Sequence, residues 1–169
     1  MEFQTLFREL THSTEMIRVL LAGIGGEEAR IKPSKSSWSI LEVICHLHDE
    51  EREDFREHLD FILYRQHEKW HPIAPMAWVK LRKYNQQDFN KMKSRFFRER
   101  EKSLAWLRGL RRVDWKIKYK SQYGSMSAEE MLANWVAHDN LHVRQLVELR
   151  RMHIERIAKH CNLQYAGEW

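Results

Sequence analysis

The chain has 169 residues, enough for one domain with a substantial core. At 43% hydrophobic and 11% aromatic it is neither a disordered tail nor a disulfide-stapled miniature, and 6 Gly with 3 Pro are too few for a turn-rich all-β chain. The net charge of +5 hides an asymmetry: residues 1–60 carry 7 Lys/Arg against 13 Asp/Glu, and residues 80–118 carry 14 against 4.

The first predicted helix covers residues 3–24, where Phe3, Leu6, Phe7, Leu10, Ile17, Leu20, Leu21 and Ile24 recur in steps of three and four. Gly25-Gly26 is its expected stop, and Pro33 marks the linker that follows. A capping box, Ser39 with Glu42, opens the second helix, whose apolar stripe runs from Ile40 to about residue 64. Residues 65–80 read as a long connection carrying Trp70, His71, Pro72, Pro75 and Trp78. A connection of that length often serves as a lid or pocket rim.

The third helix is expected over Tyr84–Leu110. Residues 115–119 alternate enough for a strand with no evident partner, and Tyr123-Gly124-Ser125 reads as a turn. A second capping box, Ser127 with Glu130, starts a fourth helix through Leu149, and residues 151–160 either extend it or form a short fifth helix. These elements predict an all-α protein, a four-helix bundle with long connections forming one domain over residues 1–169.

His138 and His142 lie one helical turn apart on one face, a spacing at which two imidazoles can converge on one divalent ion. The same spacing also arises by chance. His46, in the second turn of the second helix, falls off the centre of the apolar stripe. It reads equally as a solvated edge histidine or as a ligand at a cleft. Glu50, one turn later, is either a solvated carboxylate or a group that orients an imidazole or acts as a general base; Asp139 and Gln145 invite the same suggestion. Cys45 reads as a small half-buried residue turned away from His46, His48 is also turned away, and His153, His160 and Cys161 form a loose C-terminal group.

The segment Trp38-Ser39-Ile40-Leu41-Glu42-Val43-Ile44-Cys45-His46-Leu47 resembles the second-helix signature of the DinB-like (DinB/YfiT) superfamily of metal-binding four-helix bundles. His138-Asp139-Asn140-Leu141-His142-Val143-Arg144-Gln145-Leu146 resembles its closing motif. Arg100, Leu104, Leu107, Leu110, Asp114-Trp115 and Gly124 fall between them in the family's order, so the resemblance covers about residues 1–150. Ser121-Gln122 depart from it, standing where relatives often have His-Pro.

The resemblance implies a metal triad of His46, His138 and His142, which leaves at least one coordination position open, as in catalytic zinc sites. Zinc, nickel, iron and manganese all accept imidazole. The resemblance further implies metal-dependent transfer of a low-molecular-weight thiol, such as bacillithiol, mycothiol or glutathione, to a small electrophile. Hydrolysis by activated water is the chemical alternative. Arg100 is then a candidate cofactor-binding residue, with an interhelix salt bridge as the other reading.

The basic block at 80–118 suits the carboxylates of such a thiol, a nucleic acid, or the solvated face of a helix. It matches no recognisable nucleic-acid motif. A non-catalytic metal-binding interaction protein is the main alternative to an enzyme, and a homodimer is common among relatives, with Trp70 and Trp78 as interface or pocket-rim candidates. Two distant cysteines, no basic-then-apolar leader and no apolar run of spanning length predict a cytoplasmic location without a membrane.

Overall fold

The computed structural model describes residues 3–121 and 124–167. Four rods make the bundle. The first is α1 (Phe3–Leu20), and the second is α3 (Ile40–Glu50) continued by a π-helical turn (Glu51–Phe55) into α4 (Arg56–Tyr64). The third and fourth are α6 (Phe89–Gly109) and α7 (Ala128–Ile157). Short α2 (Gly26–Ala29), α5 (Pro75–Leu81) and a 3₁₀ turn at Tyr84–Gln86 fill the connections. No described helix is long and apolar enough to cross a membrane.

Both expected capping boxes form. Ser39 Oγ accepts from the Glu42 amide at 3.1 Å while Glu42 Oε2 accepts from the Ser39 amide at 2.9 Å, and Ser127 with Glu130 repeats the pattern at 3.2 and 2.7 Å. Other boundaries differ from expectation for local reasons. α1 stops at Leu20, because Gly23 (φ 75°) takes the left-handed position expected of Gly25-Gly26, and Gly25 instead caps α2. The connection after α4 contains α5, which starts on Pro75 at a helical first position. The third rod begins at Phe89 rather than Tyr84, since Asp88 accepts from the Lys91 amide at 2.8 Å and Lys83 breaks the chain at φ 50°.

The expected strand does have a partner. β1 (Lys118–Ser121) pairs antiparallel with β2 (Gly124–Ser127), Tyr119 facing Met126. Gly124 and Ser125 of the expected turn belong to β2, while Tyr123 and Gln122 lie outside the described residues. Residues 151–157 extend α7, so no fifth helix forms there.

Leu10, Leu59, Leu107 and Trp135 centre one part of the apolar core, and Ile17, Leu21, Leu41, Ile44 and Phe96 another. A charged knot ties the rods together. Arg100 of α6 is completely buried. Its Nε donates to Glu51 Oε1 at 2.8 Å, Nη1 and Nη2 donate to Asp139 at 2.5 and 2.9 Å, and Nη1 also donates to Thr14 Oγ1 at 3.2 Å. Ser13 Oγ donates to Asp139 Oδ2 at 2.5 Å. Burial alone would depress the guanidinium pKa, but Asp139 and Glu51 outweigh it and hold Arg100 charged.

Arg100 therefore forms the interhelix salt bridge of the two readings, with each of its three nitrogens donating inside the bundle. Arg100→Met strands two buried carboxylates. It should lower the unfolding free energy by about 3–5 kcal/mol in urea titrations, whereas Arg112→Met, at an exposed loop position, should change it little.

Candidate metal centre

The site assembles on the second and fourth rods. His46 and Glu50 stand one turn apart on α3, as His138 and His142 do on α7. α3 is buried along all eleven of its residues, because α5, α6 and α7 all pack on it. His46 is consequently 4% exposed. The edge reading fails because a helical wheel drawn for one apolar stripe cannot show a helix covered on every side.

The His46 and His138 Nε2 atoms approach to 3.3 Å, and those of His138 and His142 to 3.1 Å. One ligand atom from each of the three histidines lies within 4.8 Å of the others. Glu50 joins them. It is 5% exposed, with Oε2 2.9 Å from His138 Nε2 and 3.6 Å from His46 Nε2, so it is not the solvated carboxylate that its local sequence suggested.

Burial, and then the neighbouring imidazoles, push the His46 pKa down to about 2. Burial and His138 push His142 down to about 4 against the opposing hydrogen bond of Gln145. Both rings are neutral at pH 7 and keep a lone pair. Gln145 Oε1 lies 2.8 Å from His142 Nδ1, which therefore carries the proton and leaves Nε2 facing the other histidines. Trp38 packs its edge on His46 at 4.8 Å between centroids and lies parallel to His142 at 6.3 Å; Phe55 packs on His138 at 4.9 Å.

This donor set fits a divalent cation. Three imidazole Nε2 atoms converge beside a buried carboxylate, an arrangement in which one shared positive partner can satisfy several lone pairs. A cation with Zn–N distances of about 2.0–2.1 Å would do so.

Residues 9–146 match the DinB superfamily. The chain belongs to that superfamily. Its fold is similar to that of YfiT from Bacillus subtilis, described as a probable metal-dependent hydrolase with an unusual four-helix bundle topology. The two are 17% identical and superpose with a TM-score of 0.77 over 90% of this chain and 88% of that one. No curated protein matches the sequence.

Two clefts border the centre of this DinB-superfamily bundle. One, about 580 Å³, is lined by His138, Phe55, Leu141, Trp70, His71 and Ile73 among others. The second, about 380 Å³, is lined by Trp38, Ser37, His142, Gln145 and Glu148. No Lys or Arg lines either cleft, so the basic block at 80–118 does not meet a ligand there.

The remaining candidates lie elsewhere. Cys45 is fully buried, and burial with Asp49 and Glu42 raises its thiol to about 12, which removes it as a nucleophile. His48 Nδ1 pairs with Asp49 at 2.9 Å. Among the described residues, His153, His160 and Cys161 form no ligand cluster. Sequence reasoning passed over Asp54 and His58, whose four-residue spacing was the available signal.

Metal-free protein titrated with zinc against a chromophoric chelator should take up one ion per chain. His138→Ala/His142→Ala should take up none. Gln145→Leu, which frees the His142 ring to turn, should bind roughly 10–100-fold more weakly.

Proposed function

We propose that this protein is a metal-dependent transferase that joins a low-molecular-weight thiol to a small electrophile. The observation that carries the reading is that two separate clefts reach the histidine cluster, one lined by His138 and the other by His142. Two clefts at one centre suit the two substrates of a transfer; hydrolysis needs one cleft and water.

His46, His138 and His142 would hold a divalent ion, which would supply Lewis acidity and lower the pKa of a thiol or water. The chain's own residues do the rest. Glu50 Oε2, buried beside His138, accepts the proton released by the thiol. The sulfur then bonds to the electrophilic carbon as the leaving group departs with its electron pair, and Glu50 returns the proton. Gln145 keeps His142 in the tautomer that presents Nε2, and Trp38 shields the rings of His46 and His142.

The description of YfiT as a probable metal-dependent hydrolase supports a second reading, in which water replaces the thiol at the same centre. One assay set separates the readings. Zinc- or nickel-loaded protein should accelerate conjugation of glutathione or cysteine with 1-chloro-2,4-dinitrobenzene, and His138→Ala/His142→Ala should not. Glu50→Gln should keep its metal and lose about 10²–10⁴-fold in rate. Cleavage of p-nitrophenyl acetate without thiol, and no conjugation, would select the hydrolase. Neither reaction by the loaded protein would leave a non-catalytic metal-binding bundle.

A further inference from the structure

Neither cleft beside the histidines is lined by a lysine or arginine, but one of them borders a cavity that is. The cleft at His142 shares Pro33, Leu149 and Met152 with a cavity of about 290 Å³, so the two are neighbours. Both have the same two main walls. One is the segment 31–38 between α2 and α3, and the other is the second half of α7. On α7 the wall residues His142, Gln145, Leu149, Met152 and Arg156 recur in steps of three and four, which places them on one face of the helix. That face leads from the histidine centre toward the end of the rod.

The second cavity brings two cations to this groove, Lys32 and Arg156, and neither belongs to the basic block at 80–118. Lys32 Nζ lies 3.0 Å from Glu42 Oε2. Glu42 stands one turn before His46, about 6 Å along α3, so the ammonium is held near the centre. It has three N–H groups, of which the two Glu42 oxygens take at most two. Arg156 donates to His153 Nδ1 at 3.2 Å and pairs with no carboxylate among the described residues. Two acids line the groove: Glu148 pairs with Arg151 at 2.9 Å, and Glu28 is set 3.7 Å from His153 Nε2. Ile31, Ile40 and Leu149 supply apolar walls, beside which the field of a cation is screened less than at an open surface. The cleft at His138 has the opposite character, with Asp54 and no lysine or arginine among largely apolar walls.

We propose that the groove between residues 31–38 and α7 selects a carboxylate-bearing ligand, drawn by the field of Lys32 and Arg156 and extending along the α7 face toward His142. In the transfer proposed above this ligand is the thiol, which leaves the cleft at His138 to an uncharged electrophile. That assignment rests on the transfer; the anion preference of the groove does not.

The test is binding, read at methionine methyl groups, because Met152 lines the groove while Met126 and Met131 line the other cleft. Hexanoate and hexan-1-ol are titrated into the full chain labelled with ¹³C-methyl methionine, after chelation of metal and again after zinc loading. The three resonances are assigned from Met→Leu variants. Hexanoate should shift Met152 saturably in both forms, and hexan-1-ol should act there several-fold more weakly. Lys32→Gln and, at an exposed position, Arg156→Gln should each weaken hexanoate about 2–5-fold and leave hexan-1-ol unchanged. Equal affinities of the two probes at Met152, or a hexanoate shift at Met126 and Met131 instead, would overturn the inference. So would a Met152 shift seen only with zinc, which marks ligation of the metal by the carboxylate. Hexanoate binding at Met152 in a loaded chain that conjugates neither glutathione nor 6-mercaptohexanoate would uphold the groove while removing the proposed transfer.

Discussion

The structure turns on one buried cation. Arg100 reaches all three other rods: Thr14 on α1, Glu51 at the start of the π turn, and Asp139 on α7. A guanidinium taken out of water is tolerable only when its planar fork is matched by carboxylates at fixed angles, so this pairing specifies helix rotation as well as attraction. Apolar packing alone would accept small rolls of one helix on another. The paired Arg100 does not, since a roll that moved Asp139 or Glu51 would leave a charge unpaired in the core.

That constraint reaches the candidate metal centre through chain adjacency. Asp139 follows His138, and Glu51 follows Glu50. Neighbouring residues on a helix project about 100° apart, so locking Asp139 and Glu51 onto Arg100 turns His138 and Glu50 toward the space between the rods. His142 and His46 each stand one turn along the helix from those residues and are turned with them. The π turn begins at Glu51, and its widened backbone resets the register before α4. Asp54 and Phe55 leave this turn toward the cleft that His138 borders, so one irregularity serves both the knot and the cavity wall.

How much of this could be read in the sequence follows from how local each signal is. The capping boxes at Ser39 and Ser127 and the His138/His142 pair depend on residues within one turn, and the structure contains the first two and brings the pair together. The superfamily signatures carried the fold class. The burial of His46 and Glu50 was illegible locally, because it depends on α5, a helix hidden in a stretch that reads as loop, and on packing from three sides. Arg100 shows the opposite failure. Its place in the family order marked it as important, but a one-dimensional match does not say whether a side chain faces a ligand or the core. Gly23 rather than Gly25 ends α1 for a similar reason: both glycines permit the required backbone, and only the packed chain selects one.

The centre and the stacked rings of His58 and Trp70 both bury ring nitrogens. At the centre, converging imidazole nitrogens and a carboxylate face one another. At His58 and Trp70 two ring nitrogens are buried without partners. At Asp49, by contrast, His48, Tyr84 and Arg82 pair with the buried carboxyl and hold it down to about 2 against its burial. One cavity is lined both by His138 and by the stacked His58 and Trp70, so the histidine centre and that stack border the same largely apolar space, the setting in which small ligands bind.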